Sequence, residues 1–157
     1  MKRLISWALL LSGALVVTLV PVQAAASHCS TASTAGDWAY TYTGTIFTPG
    51  GSVPAATVGH FTQSATGGVS GNQTRSVAGS SGVEDISGSV TVNKDCSANA
   101  NIDVLVDGQV QRTAVLAIMY DSDGNHARMI FQSLTLPDGT NVPVVLTLDA
   151  NRLNTKK

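Results

Sequence analysis

The sequence predicts an all-β protein in which eight strands form an antiparallel up-and-down barrel, and three observations support this. Helix-forming residues are scarce, and Glu84 is the only glutamate among 157 residues. Short segments of alternating apolar and polar residues recur along the chain, as in half-buried strands. Seven clusters of turn-forming residues separate eight such segments. A barrel is favoured because it leaves no sheet edge exposed. A β-sandwich is the alternative, because it would show the same local sequence pattern.

The N-terminal stretch has the features of a secretory signal peptide. Lys2 and Arg3 precede an almost wholly apolar run from Ile5 to Val22, and small residues follow at the positions that a signal peptidase recognises. We expect cleavage at residue 24, with residue 26 as an alternative. The run is also long enough for a membrane anchor, but the small residues favour removal. The mature protein is therefore predicted to be secreted or periplasmic, without a membrane segment.

Cleavage there would leave a single domain of 133 residues. Seven basic residues then stand against ten acidic ones, a net charge of −3, and Lys156-Lys157 is the only basic run. Nucleic-acid binding is disfavoured, because it requires a basic patch. The predicted organisation is a signal peptide at 1–24, an N-terminal arm at 25–35, a barrel domain at 36–150 and a polar tail at 151–157.

Two cysteines, Cys29 and Cys96, follow the predicted leader. In an oxidising compartment their leading interpretation is a disulfide bond, with free thiols or intermolecular bridges as alternatives. A metal site that combined His28 with Cys29 would lack a recognised ligand spacing. Neither a metal nor a cofactor is therefore predicted.

The first strand, predicted at 37–47, carries the aromatic residues that organise the predicted barrel. Trp38, Tyr40 and Tyr42 fall on one face, and Ala39 and several polar residues fall on the other. Trp38 is the only tryptophan after the leader and is placed to close one end of a barrel. It is interpreted as a core aromatic, with contact to a ligand as the alternative.

The remaining strands lie between turn clusters, and Asp107-Gly108 is a strong signal for a two-residue hairpin. Glycine weakens the second to fourth strands, so the prediction is least regular there. In order, they are predicted at 55–64, at 69–77, around Ile86, Gly88, Val90 and Val92, around the inward residues Ile102, Val104 and Val106, around Val110, Ala114, Leu116, Ile118 and Tyr120 on one face, at 126–136 and at 142–149.

Gly36-Asp37-Trp38 at the head of the first strand resembles the Gly-x-Trp signature of lipocalins and the wider calycin group. In lipocalins an arginine after the last strand packs over that tryptophan, and Arg152 stands at the corresponding place. The lipocalin Thr-Asp-Tyr motif is absent. The chain is also similar to small secreted barrels of the allene oxide cyclase and dirigent type. The resemblance implies a calycin-like barrel, and no catalytic residue follows from it.

Asp121, Asp123 and Asn125 have the one-three-five spacing of a calcium loop. Gly124 stands at the fourth position rather than the sixth, however, and Gln132 replaces the glutamate required at the twelfth. A tight hairpin turn is the favoured interpretation.

The candidate acids and bases form no recognisable catalytic set. His28, His60 and His126 are scattered, and no Ser-His-Asp arrangement follows from their spacing. Glu84 and Asp85 could act as an acid and base, but neighbours in a strand point to opposite faces. They are interpreted as a solvated strand start.

Arg112 shares a face with Val110 and Ala114 in the sixth strand. An arginine inside the barrel would need a carboxylate partner or an anionic ligand. Asp103 in the neighbouring fifth strand is the natural partner if the register permits, but it alternates opposite to Ile102 and Val104. The favoured interpretation places Arg112 near a strand end, where it reaches solvent.

These patterns predict an exported barrel that binds a small, mostly apolar ligand by burying it. A small apolar molecule is the only partner predicted, and no oligomeric state follows. The alternatives are a cyclase-type barrel enzyme, with Arg112 or His60 as its titratable residue, and a solid-cored structural or envelope protein without a ligand. The candidate ligand-binding residues are Trp38, Tyr40, Tyr42, Arg112, Tyr120 and Phe131.

Overall fold

A computed structural model describes residues 29–153. The predicted signal peptide, residues 25–28 of the predicted arm and residues 154–157 of the predicted tail lie outside the described residues. Eight antiparallel strands each pair with the next, and β8 pairs back with β1, so the sheet closes into a barrel. The predicted fold is confirmed, and the β-sandwich alternative is excluded. No helix within residues 29–153 is long and apolar enough to cross a membrane.

The strands begin and end next to short turns, because pairing continues along each hairpin up to its turn. β2 therefore starts directly after the turn at 49–50, and β8 runs to Arg152, into the segment predicted as a tail. The strands are β1 (Gly36–Thr48), β2 (Gly51–Gln63), β3 (Gly68–Val77), β4 (Ser80–Val92), β5 (Ser97–Val106), β6 (Gln109–Tyr120), β7 (His126–Thr135) and β8 (Val144–Arg152).

Alternation along the strands places the predicted apolar faces inside the barrel, with one exception. Val110 was predicted to point inward, but it is 40% exposed. The register between β5 and β6 shifts there, because Val104 pairs with Arg112 while Leu105 pairs with Val110. Such a β-bulge inserts one extra residue and reverses the facing beyond it. The prediction for Val110 is therefore wrong.

The two ends of the barrel differ. At what we call the closed end, the N-terminal segment 29–35 packs against the turns after β2 and β4. The disulfide between Cys29 and Cys96 fixes this segment to the β4–β5 turn, with 5.0 Å between the two Cα atoms. The predicted disulfide is thus confirmed. At the opposite end, which we call the open end, the turns at 49–50, 78–79 and 107–108 and the loop at 136–143 surround the mouth.

Trp38 seals the barrel floor beneath the N-terminal segment. Its side chain is fully buried, and its Nε1 donates a hydrogen bond of 3.1 Å to the carbonyl oxygen of Thr34. The buried amide of Gln63 donates to Thr34 Oγ1 at 2.8 Å. Arg152, the cross-strand partner of Trp38, donates to the backbone carbonyls of Ser33 and Ala35. The polar groups of this floor therefore have hydrogen-bond partners within the protein.

Candidate functional site

The barrel interior contains a cavity of about 290 Å³ with a largely apolar lining. It exists because several inward positions carry small side chains, such as Ala100 and Ala114, where larger ones would fill the space. Apart from two glutamines and two arginines, its lining is apolar or aromatic. The lining residues are Tyr40, Tyr42, Ile46, Phe61, Gln63, Val69, Gln73, Arg75, Val77, Ile86, Val90, Ala100, Ile102, Val104, Arg112, Ala114, Leu116, Ile118, Tyr120, Met129, Phe131, Leu134, Leu136, Val142, Leu146 and Leu148.

The cavity reaches solvent at the open end. Exposed Leu136 and partly exposed Arg75 belong to its lining there. At the other end, Tyr120 and Gln63 form the bottom of the cavity, and Trp38 lies below them outside the lining. A molecule would therefore enter through the mouth and meet an apolar interior.

Five side chains form a continuous polar network within the barrel, which we call the Glu84 cluster: Tyr40, Gln73, Arg75, Glu84 and Arg112. The Tyr40 hydroxyl donates to Gln73 Oε1 at 2.7 Å, and Gln73 Nε2 donates to Glu84 Oε2 at 2.7 Å. Arg112 binds both oxygens of Glu84, with Nη1 3.0 Å from Oε1. Arg75 Nε donates to Oε1 as well. The carboxylate is therefore held by three side chains.

These contacts decide the charge states in the cluster. Burial raises the pKa of Glu84, but the hydrogen bonds from Arg112, Gln73 and Arg75 outweigh it and hold the pKa below its usual value. Burial, together with the neighbouring Tyr42 and Glu84, raises the pKa of Tyr40. At neutral pH Glu84 is an anion and Tyr40 keeps its proton, so the Tyr40 hydroxyl can serve as a donor.

The structure corrects the interpretations of Glu84 and Arg112. Glu84 is buried rather than part of a solvated strand start, whereas Asp85 is exposed on the outer face. Arg112 lies inside with Glu84 as its carboxylate partner and does not extend freely into solvent. Asp103 is not that partner, because it accepts a hydrogen bond of 2.6 Å from Thr113. Glu84 has the same parity in β4 as Ile86, and this signal could have placed it inside.

Five of the six candidate ligand-binding residues lie around the cavity. The exception is Trp38, which stacks on Phe61 with a centroid distance of 6.1 Å and meets the Tyr120 ring edge to face at 5.6 Å. Burial raises the pKa of Tyr120 to about 12, and its hydroxyl donates to Gln63 Oε1 at 3.2 Å. Their roles in binding stay predictions. The residues on the cavity wall are Tyr40, Tyr42, Arg112, Tyr120 and Phe131.

The other polar candidates lie outside the cavity. His60 is exposed, and His126 Nε2 lies 2.8 Å from Asp149 Oδ2 on the outer surface. In the turn after β6, the carboxylates of Asp121 and Asp123 accept hydrogen bonds from the backbone nitrogen of Asn125 at 3.0 and 3.1 Å. These bonds are those of a tight turn.

Thr57 is an inward residue of β2 whose cross-strand neighbours are Tyr42 and Arg75. In the part of the chain that the structure describes, its Oγ1 is the one buried side-chain polar atom without a hydrogen-bond partner. A buried polar group without a hydrogen-bond partner lowers the stability of the folded protein by about 1–3 kcal/mol. Thr57→Val should therefore raise the free energy of unfolding by about 1 kcal/mol, measured by denaturant titration. A loss of stability would contradict this account.

Comparisons with known proteins support the fold without giving a family. No family model matches the chain, and no curated protein matches it. The solved structure of EF1p2_mFAP2b bound to DFHBI is similar over 82% of this chain and 100% of its own, with 13% identity and a TM-score of 0.55. The S-type phycobiliprotein lyase CPES from Guillardia theta covers 83% of this chain and 96% of its own, with 9% identity and a TM-score of 0.47. The first of these similarities supports the resemblance to lipocalins at the level of the barrel fold only.

Proposed function

We propose that this protein binds a small, mostly apolar molecule inside its barrel. The cavity carries the proposal: about 290 Å³ of space, an apolar wall and a mouth at one end. Ligand pockets typically measure about 300–1,000 Å³ and combine an apolar wall with a few polar groups. At about 290 Å³ this cavity lies just below the lower end of that range. The barrel of EF1p2_mFAP2b, solved with DFHBI bound, supports the proposal at the level of the fold.

The lining chemistry favours binding over catalysis. Among the described residues, no carboxylate and no histidine belongs to the cavity wall. Glu84 lies inside the barrel but does not line the cavity, and its carboxylate is held by Arg75, Arg112 and Gln73. Tyr40 and Tyr120 are protonated at neutral pH, and their raised pKa values make both hydroxyls weaker acids than an ordinary tyrosine. A cyclase-type enzyme would need a group that exchanges a proton with its substrate, and a solid-cored structural protein would have no cavity.

The disulfide indicates where the protein acts. A bond between Cys29 and Cys96 persists in an oxidising compartment, outside the cytoplasm. Together with the sequence of the predicted signal peptide, it supports a secreted or periplasmic binding protein. Such a protein would carry or sequester its ligand without changing it.

A cavity-filling variant tests the proposal. Ala114 lies on the cavity wall and Ala117 on the outer face of the same strand, so the same substitution can be made on both sides of β6. We expect the neutral fluorophore N-phenyl-1-naphthylamine to bind the wild-type protein with increased emission. Ala114→Leu should weaken binding by about tenfold, since the added carbons occupy ligand space.

Ala117→Leu is the matched control and should bind within about twofold of the wild type. Native mass spectrometry of protein exported by its own host would add a direct observation, since a carried ligand appears as an adduct lost on denaturation. No emission change with wild-type protein, or equal binding by both variants, would count against a ligand inside the barrel.

A further inference from the structure

The Glu84 cluster carries a charge imbalance. It brings two guanidinium groups and one carboxylate together, for a net charge of +1. In the part of the chain described, neither Arg75 nor Arg112 has a second acidic partner within 4 Å. Asp85, the other acidic residue of β4, is exposed on the outer face, and Asp103 of β5 is bonded to Thr113. Among the described residues, one positive charge of the cluster is therefore not paired with a carboxylate within 4 Å.

The arginines also have donors to spare. A guanidinium has five N–H donors, and the hydrogen bonds described use only Nε of Arg75 and one donor from each Nη of Arg112. The two Nη groups of Arg75 thus form an unused fork, the geometry that binds a carboxylate with two parallel hydrogen bonds. Glu84 meanwhile keeps its own pair with Arg112.

Both arginines are accessible to a ligand. Their side chains are 30% and 18% exposed, whereas that of Glu84 is 1% exposed. Arg75 and Arg112 belong to the cavity wall near the open-end termini of β3 and β6. Apart from Gln73, Tyr40 and Tyr42, the wall below them is apolar down to Tyr120 and Gln63 at the bottom. A molecule with a charged head and an apolar body would place its head at the arginines near the mouth and its body in the apolar interior.

We infer that the ligand is an amphipathic monoanion whose carboxylate end binds at Arg75 and Arg112 while its apolar part fills the cavity. This inference rests on the proposed binding function and specifies its ligand class. A monoanion cancels the charge of +1, whereas a dianion would leave a net charge of −1 in a site of low polarity. A neutral ligand would leave the charge of +1 without a counter-ion and the unused donors to solvent.

A charge series tests the inference with two ligands of equal length, decanoate and 1-decanol, each competed against N-phenyl-1-naphthylamine at pH 7. The wild-type protein should prefer decanoate by about tenfold. Arg75→Gln makes the cluster neutral and leaves Glu84 paired, so the preference should fall to about one. Glu84→Gln raises the cluster charge to +2, so the preference should exceed that of the wild type.

Arg128→Gln is the control for overall charge, because Arg128 is exposed on the outer face of β7. It should leave the preference unchanged. Arg75→Lys keeps the charge but loses the fork and should retain part of the preference. Two results would overturn the inference of an anionic ligand while leaving the cavity proposal intact. One is equal affinity of the wild type for decanoate and 1-decanol, and the other is an equal loss of affinity for both ligands in Arg75→Gln. If neither ligand nor the fluorophore binds, the proposed function itself fails.

Discussion

Trp38→Ala should lower the free energy of unfolding by about 3–5 kcal/mol, as expected for removal of a large buried aromatic side chain. Trp38 is 0% exposed. Its ring packs against Phe61 and Tyr120, and its indole N–H is bonded to Thr34. The substitution would leave a cavity directly beneath the ligand cavity and remove a bond to the N-terminal segment. Urea titration followed by circular dichroism measures the change.

Two further variants serve as comparisons for Trp38→Ala. Trp38→Phe keeps an aromatic ring on Phe61 but loses the hydrogen bond to Thr34. Its free energy of unfolding should therefore fall by less than that of Trp38→Ala. Val83→Ala, at an exposed position of β4, should change stability by no more than about 0.5 kcal/mol. If Trp38→Ala costs no more than Val83→Ala, Trp38 does not hold the closed end together.

Loss of the disulfide should have an effect of similar size. Cys29 and Cys96 are 67 residues apart, and closing a loop of that length stabilises a protein by roughly 4 kcal/mol in the chain-entropy model. The double variant Cys29→Ser with Cys96→Ser should therefore unfold at a clearly lower urea concentration than the oxidised protein. The same shift should follow when the wild-type protein is treated with a reductant.

The reductant provides its own control, since it should leave the unfolding of the double serine variant unchanged. An identical midpoint for oxidised and reduced wild-type protein would mean that the bond does not constrain the unfolded chain. The segment 29–35 would then be held by its hydrogen bonds with Trp38, Gln63, Val92 and Arg152.

The fold could be predicted because its signals are local. Alternation in β1 placed Trp38, Tyr40 and Tyr42 inside, and turn residues such as Asp107-Gly108 separated the strands correctly. The error at Val110 has a non-local cause, since a β-bulge depends on pairing between two strands and leaves no mark on the alternation of one.

The candidate site was predicted only in its aromatic part and at Arg112. Its charge pairing joins β3, β4 and β6, and no spacing in the sequence reveals which carboxylate meets which arginine. Gln73 and Arg75 were missed for this reason. Glu84 was missed although it alternates in phase with the inward residue Ile86. A buried carboxylate without a partner is energetically costly, and the sequence alone does not reveal its partners.

The pairing of β1 with β8 has a kinetic consequence. The other seven pairings of the barrel join consecutive strands, and this seam alone brings together segments as distant as Trp38 and Arg152. Contacts between sequence-distant segments slow folding, because a long loop must close before they form. The hairpins from β1 to β7 can therefore form before β8 pairs with β1, and the interior becomes enclosed when that pairing is made. We expect the pairing of β8 with β1 to be the slow folding step, which closes a curved, open sheet into a barrel with an enclosed cavity.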